Sequence, residues 1–303
     1  MLDQIQLMSV FVAVAEEQGF AAASRRLNMS PPTVTRAIAT LEERLSVKLF
    51  NRTTRHVRVT DAGIRYLDDV KRILDDIKIA NEAAQGVNSI PQGTISVTAP
   101  VLFGQQYVLP SVLQYLNNYP NTEINTVFLD RTVNMLEEGF DVGVRIGELP
   151  DSSMRAKKVG NVRLALVASP EYLTKHGIPQ HYSDLSAHSL IEVQVGSLNQ
   201  DWKFFEKGKL INHHVKSRLK VTTNQAAINA AVAGFGITRI VSYQVANELQ
   251  NNKLKFVLEP FEQAPLPINI IHREDRLSSA KVRSFIDLLA SNLSKETAFN
   301  QRQ

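Results

Sequence analysis

The sequence predicts an α/β protein that opens on a mainly α winged helix-turn-helix and a linker helix, and three observations carry this. Residues 19–45, GFAAASRRLNMSPPTVTRAIATLEERL, read as helix, turn, helix with one basic face. Residues 61–87 then place apolar side chains in steps of three and four, the mark of one long amphipathic helix. From Gly93 onward strand-like runs alternate with helical ones, which implies parallel sheets with crossover connections.

The N-terminal elements follow from local chemistry. Ile5, Met8, Phe11, Val12 and Ala15 give a first helix with an apolar side. Phe20, Ala23 and Leu27 fall at helical spacing, and Asn28-Met29 breaks the run. Ser30 offers a hydroxyl as N-cap, and Pro31 sits at the first helical position, where its missing N–H costs nothing. In the next helix Val34, Ile38, Leu41 and Leu45 share one stripe. Pro32, Arg36 and Thr40 stand opposite, with Thr33 flanking, a short polar face that suits the edge of DNA. From Phe20 to Arg58 there are eight basic residues (Arg25, Arg26, Arg36, Arg44, Lys48, Arg52, Arg55, Arg58) and two acidic ones (Glu42, Glu43), a balance of +6 against +4 for the whole chain. A basic patch on a small module is the electrostatic footprint of a nucleic-acid binder. The plainer alternative is a helical hairpin with a solvated basic face.

Residues 48–51 and 56–59 read as two short strands around the tip Arg52-Thr53-Thr54-Arg55, with Val57 and Val59 alternating against His56 and Arg58. Beside a recognition helix, such a basic hairpin is a wing placed to touch phosphate or the minor groove. The plainer alternative is a connector with solvated arginines. Thr60 opens the long helix, and Leu67, Val70, Leu74, Ile77, Asn81 and Ala84 form a heptad seam that predicts dimerisation; a lone helix lying on the next domain is the alternative. Residues 86–93 mark a boundary by their Gly, Asn, Ser and Pro content.

Beyond it, strands are expected at 94–99, 123–129, 141–146, 163–168, 189–194, 216–221, 237–240 and 267–272. Helices are expected at 102–116, 133–139, 171–176, 225–233 and 279–293, with a polar, frayed tail from Ser294.

Composition removes several classes. The chain of 303 residues has no cysteine, so disulfides, thiolate catalysis and cysteine-ligated metal are excluded. The N-terminus has no basic leader or small-residue cleavage pattern, and no run approaches 18 apolar residues, which points to a cytoplasmic protein without a membrane span. The seven histidines show no ligand spacing, so no metal is expected. Gly234-Phe235-Gly236 follows a helix and precedes a strand, the wrong order for a dinucleotide loop. No P-loop or G-x-S-x-G motif occurs and no nucleophile stands with a base, so neither an enzyme nor a cofactor is expected.

The stretches FVAVAEEQGFAAASRRLNMS and TVTRAIATLEERLSVKLFNRTTRHVRVTDAG closely resemble the LysR-type transcriptional regulators. ISVTAPVLFG, DVGVRIGELPDSS, ALVASPEYLTKHG, AVAGFGIT and KVRSFIDLL resemble that family's effector domain, each more weakly. The resemblance implies a winged helix-turn-helix over residues 1–60 and a linker and dimerisation helix over 61–89. It implies an effector-binding domain over 90–303, similar to type 2 periplasmic binding proteins. That domain has two Rossmann-like lobes, lobe I at 90–162 and 266–293 and lobe II at 163–265. It also implies a homodimer or homotetramer that binds double-stranded DNA and a small organic effector. Many members carry Gln or Ser just after the N-cap; here Pro31 cannot donate, which shifts base reading to Thr33, Thr35 and Arg36, with Pro32 touching a thymine methyl. The DNA-contacting set is thus Ser30, Pro32, Thr33, Thr35, Arg36 and Thr40, with Arg52, Thr53, Arg55 and Arg58 on the wing.

Ligands of open α/β sheets sit beyond the carboxyl ends of strands. That rule selects Ala99, Pro100, Val101, Leu102, Phe103, Asp130, Arg145, Ile146, Gln194, Thr222, Asn224, Gly236 and Thr238 as effector-contacting. The helix starting near Leu102 points its N–H groups at the cleft, which favours an anion such as a carboxylate. Arg145 either holds that carboxylate or pairs with Asp141 or Glu148. The resulting reading is a sequence-specific DNA-binding regulator modulated by a small anionic effector. The alternative is a solute-binding protein or carrier whose N-terminal helices only dimerise it.

Overall fold

Asp3 starts the first helix, α1 (Gln4–Glu16), by accepting from the Gln6 amide at 2.7 Å while Gln6 reaches back to the Asp3 amide at 3.1 Å. The computed structural model describes residues 2–52, 57–85, 90–149, 154–194, 201–273 and 279–299. The chain divides into two units, residues 1–89 and 90–303.

In the first unit α2 (Phe20–Arg26), α3 (Pro31–Leu45) and α1 enclose a core of Leu7, Val10, Phe11, Val14, Ala23, Val34, Ile38 and Leu41. The buried side of α1 is centred on Leu7, Val10, Phe11 and Val14; of the expected stripe Phe11 is fully buried and Met8, Val12 and Ala15 pack in part against the same core, while Ile5 is 45% exposed. The helix is apolar nearly all round, so spacing alone leaves its phase open, and contact with both α3 and α4 (Asp61–Gln85) sets it. Leu45 likewise ends up exposed, because α3 stops there and Ser46 turns left-handed at φ 53°. β1 (Phe50–Arg52) and β2 (Val57–Val59) pair antiparallel, Phe50 opposite Val59, and build the base of the wing. The wing tip, with Thr53 and Arg55, lies outside the described residues. Thr60 caps α4, its Oγ1 accepting from the Gly63 amide at 3.0 Å and donating to the Lys48 carbonyl at 2.8 Å.

The second unit begins with β3 (Gly93–Ala99), whose chain turns into a continuous helical run: α5 (Val101–Phe103), a π turn at Gly104–Val108 and α6 (Leu109–Asn118). The π turn lies where Gly104 meets the Phe128 ring; a Cβ there would stand 2.4 Å from it. β4 (Thr122–Phe128), β5 (Val142–Ile146) and β6 (Met154–Val162) follow. The chain then builds a second sheet from β7 (Leu164–Ala168), α7 (Pro170–His176), β8 (Leu190–Val193), a hairpin of β9 (Trp202–Glu206) and β10 (Lys209–His213), β11 (Leu219–Val221), α8 (Asn224–Val232), β12 (Ile237–Val241), α9 (Ala246–Gln250) and β13 (Lys255–Val257). β14 (Leu266–Arg273) returns to the first sheet, and α10 (Ala280–Leu293) packs beside α6.

The two sheets run β4-β3-β5-β14-β6 and β11-β8-β12-β7-β13. Both are mixed, not parallel throughout. β14 pairs antiparallel with β5 and β6, and β7 pairs antiparallel with β12 and β13. The reason is connectivity: β14 comes back from the second sheet instead of from a crossover helix. Four strands and one short helix escape a reading of the sequence: β6, the β9–β10 hairpin, β13 and α9. Residues 133–139, expected as a helix, form turns. Asn134 Oδ1 accepts from the amides of Leu136 and Glu137 at 3.1 and 3.4 Å, and Glu138 accepts from the Asn134 amide at 3.2 Å, so side chains take the bonds a helix would use. Nor is the tail frayed up to Phe299. That ring is 1% exposed, stacks on Phe103 at 5.4 Å and meets Tyr107 at 4.7 Å, seated where a Cβ on Gly160 would lie 2.8 Å from its own Cβ.

Candidate nucleic-acid interface and ligand cavity

The polar face of α3 is open. Pro32, Thr33, Thr35 and Arg36 are exposed and Thr40 is half-buried, above a fully buried Val34, Ala37, Ile38 and Leu41. Ser30 and Thr33 bond to each other at 2.7 Å as well as capping the helix. Their hydroxyls are thus partly committed to the turn, which leaves Thr35 and Arg36 as the freer polar groups on the face. The basic count is also partly internal. Arg26 pairs with Glu16 at 2.8 Å and Glu17 at 3.4 Å, Arg44 donates to Gln4 Oε1 at 2.9 Å, and Lys48 pairs with Glu42 at 2.9 Å. Arg25, Arg36 and Arg58 remain exposed cations of the described residues.

Glu42 was not anticipated as more than a charge, yet it is the buried joint between α3 and the wing. Its Oε1 accepts from the amides of Leu49 and Phe50 at 2.9 and 3.2 Å. Burial pushes its carboxyl up, but the Lys48 ammonium and these two amides outweigh that and hold it below the usual carboxylate range.

Along α4, Leu67, Val70 and Leu74 pack on the core of their own unit, with Val70 fully buried. Ile77 is half-buried and Asn81 exposed, while Ile64 and Ile73 present exposed apolar side chains. The side chain of Ala84 lies outside the described residues.

In the second unit a cavity of about 680 Å³ lies at the carboxyl ends of the strands, with walls from both sheets. Pockets of roughly 300–1,000 Å³ suit small ligands. Five of the expected residues line it: Pro100, Asp130, Arg145, Ile146 and Asn224. The others are placed elsewhere. Ala99, Phe103 and Thr238 are fully buried and Leu102 nearly so; Thr238 Oγ1 donates to the Ile191 carbonyl at 3.1 Å. Gly236 is a packing glycine, where a Cβ would meet the Ser189 carbonyl at 2.1 Å. Gln194 gives its amide to the Val221 carbonyl at 2.7 Å, and Thr222 faces solvent. Val101 donates its amide to Asp130 Oδ1 at 3.0 Å, so the first N–H of the helical run already holds a carboxylate, that of the protein itself. Asp130 Oδ2 also accepts from Asn224 Nδ2 at 3.4 Å, a bond from the first sheet's side of the cavity to the second.

Reasoning from strand ends missed one wall. The β4–β5 connection continues past Asp130 through Arg131, Val133 and Leu136 along the cavity, and Tyr243 and Gln244 close it from the 3-10 turn after β12 (Ser242–Val245). The signal was present, since the connection starts at a strand's carboxyl end. Arg131 is neutralised by a bidentate pair with Glu138 at 2.8 and 2.6 Å, which holds that carboxyl low. Arg145 is not so matched. Its Nη1 donates to the Val144 carbonyl at 2.9 Å, its Nη2 is buried with no hydrogen-bond partner among the described residues, and burial lowers its proton affinity. Of the two readings of Arg145, no ion pair with Asp141 or Glu148 forms among the described residues. No group of three or more His, Cys, Asp or Glu among them could hold a metal ion, and no helix among them is long and apolar enough to cross a membrane.

Residues 5–64 match the model of the bacterial regulatory helix-turn-helix protein, lysR family, and residues 88–294 match that of the LysR substrate binding domain. The HTH-type transcriptional regulator CrgA of Neisseria meningitidis is 30% identical over 94% of this chain and 96% of its own length. The HTH-type transcriptional activator AaeR of Escherichia coli is 29% identical over 95% of this chain and 93% of its own. The solved structure of CrgA superposes with a TM-score of 0.61 at 29% identity, covering 97% of this chain and all of that one (100%).

Proposed function

We propose, since this chain belongs to the LysR family of bacterial transcriptional regulators, that a small anionic organic effector in the 680 Å³ cavity switches its action at DNA. It is a DNA-binding transcriptional regulator with a substrate-binding domain and not an enzyme, as its relatives are. The observation that carries the effector reading is Arg145. A buried guanidinium whose Nη2 has no partner among the described residues, on a cavity wall, matches a carboxylate oxygen, and hydrogen bonds to charged groups are the strong ones. The bond between Asp130 and Asn224 crosses the cavity and is a contact that an arriving ligand would compete for or reinforce. Contacts to DNA come from Thr35 and Arg36 on α3 and from Arg58 on the wing. Assembly as a homodimer or homotetramer uses the part of α4 not spent on its own core, with Ile73 and Ile77 in place of Val70. The protein works in the cytoplasm, where its DNA is.

The test is retention of genomic fragments by the purified protein at about physiological salt, with a panel of small organic acids. Retention of a few fragments sharing an inverted repeat, altered by one acid, is the expected result. Arg145→Met then leaves retention without effector intact and raises the acid concentration for half-response about tenfold. An unchanged response in that variant removes Arg145 from the site, and indifferent binding that vanishes with salt removes the specific regulator. The carrier reading would need the α3 face to be inert toward DNA, which the same retention experiment measures.

A further inference from the structure

The second sheet holds a smaller cavity of about 190 Å³ that shares only Asn224 with the larger one. Its other walls include Leu164, Val193, Trp202, Glu192 and Arg239. Arg239 stands on β12, the middle strand of its sheet, between the buried Ile237 and Ile240 in sequence. Its guanidinium carbon lies 5.5 Å from the centre of the Trp202 ring. Its Nη1 is buried and has no hydrogen-bond partner, and no carboxylate lies within ion-pair distance, among the described residues. The acid on the same wall is already engaged: Glu192 Oε2 accepts from Ser217 Oγ at 2.7 Å and stands 3.5 Å from Lys220 Nζ. Burial draws the Arg239 proton affinity down to about 10, which still leaves it charged at neutral pH.

A largely desolvated cation is costly unless paired, and this one, with no counter-charge among the described residues, stands in the middle of a sheet beside a cavity. We infer that this second cavity binds a carboxylate, gripped by the fork of Arg239 with Trp202 as an apolar wall. The volume equals about six waters at roughly 30 Å³ each, room for a carboxylate with a short hydrocarbon body. The planar guanidinium matches a carboxylate in two parallel hydrogen bonds. The site goes beyond the effector reading of the larger cavity and does not depend on it. The carboxylate has two possible sources, a separate small acid or the second acidic end of a molecule seated in the larger cavity, since Asn224 borders both.

Thermal unfolding of the full chain, followed by the fluorescence of its single tryptophan, Trp202, tests this. The probes are acetate and glutarate, each against chloride at equal ionic strength. Binding raises Tm by roughly 3–5 °C at ten times Kd for a unit of this size. Arg239→Met loses that rise, and in chloride it melts no lower than the parent, because an uncompensated buried charge has gone. Arg239→Lys keeps the charge without the fork and shows a weakened rise, which guards against a variant that simply fails to fold. A rise lost in Arg239→Met but kept in Arg145→Met identifies a separate small acid. One shown by glutarate alone and lost in both variants identifies the second end of a spanning ligand. If neither anion raises Tm, or Arg239→Met keeps the full rise, the site is overturned, and the proposal for the larger cavity stands or falls separately.

Discussion

Replacing Arg36 with alanine lowers affinity for the specific operator by roughly 1–3 kcal/mol, about 5- to 150-fold, while affinity for unrelated DNA falls far less. Arg36 is an exposed side chain on the polar face of α3, about half a turn from the fully buried Ile38 and Val34 that fix the helix in place. It has no partner in its own unit among the described residues, unlike Arg26, Arg44 and Lys48, so none of these competes for its fork. A bidentate contact to guanine would be lost with the side chain, and specificity at that base pair would relax. Fluorescence anisotropy with operator and scrambled duplexes at two salt concentrations separates this from a phosphate contact. A base contact changes the ratio of the two affinities and hardly moves the salt slope. If both affinities fall in parallel and the slope drops by about 0.9, Arg36 is a phosphate contact and the assignment to base reading is wrong.

Replacing Glu42 with alanine destabilises the DNA-binding unit by about 3 kcal/mol. Glu42 is 3% exposed, and its removal leaves two buried amides, those of Leu49 and Phe50, without their acceptor. Each such donor costs roughly 1–3 kcal/mol. The Lys48 contribution is small because that side chain is mostly solvated. Glu42→Gln keeps one acceptor oxygen and loses less. The pH dependence follows from the lowered folded pKa. The carboxylate's contribution is fully present above the unfolded value near ~4.3 and is lost as pH falls through the folded one. The gap between parent and Glu42→Gln therefore closes in acid. Calorimetry on the full chain should show the N-terminal transition move down while the Trp202 fluorescence transition, which reports the second unit, stays put. Equal shifts in both, or none, would refute the role given to Glu42.

Much of the DNA-binding unit was legible because its signals are local. Ser30 and Pro31 announce the start of α3 by capping chemistry, and Val34, Ile38 and Leu41 show its buried stripe by spacing alone. The strand and helix alternation after Gly93 was equally open to reading, as was the strand-end rule that brought Pro100, Asp130, Arg145, Ile146 and Asn224 to one cavity. The failures have a common character. Thr238 and Gly236 look like site residues by position but serve packing, because the face of a strand that meets the ligand depends on which layer covers the other face. Val70 fits a dimer seam by period but is spent inside its own unit, because α1 arrives to cover it.

The sequence by itself determined the family, the helix-turn-helix with its exposed polar face, and the α/β character of the second unit, since each rests on caps, periods and motifs within a few turns of chain. Tertiary structure alone decided which charges are free. Arg26, Arg44, Lys48 and Arg131 find partners within the protein. Arg145 and Arg239 are buried with a guanidinium nitrogen unpaired among the described residues. No local pattern distinguishes the two groups, because the energy of a charge depends on its depth and on the groups that long-range folding brings within a few ångströms of it.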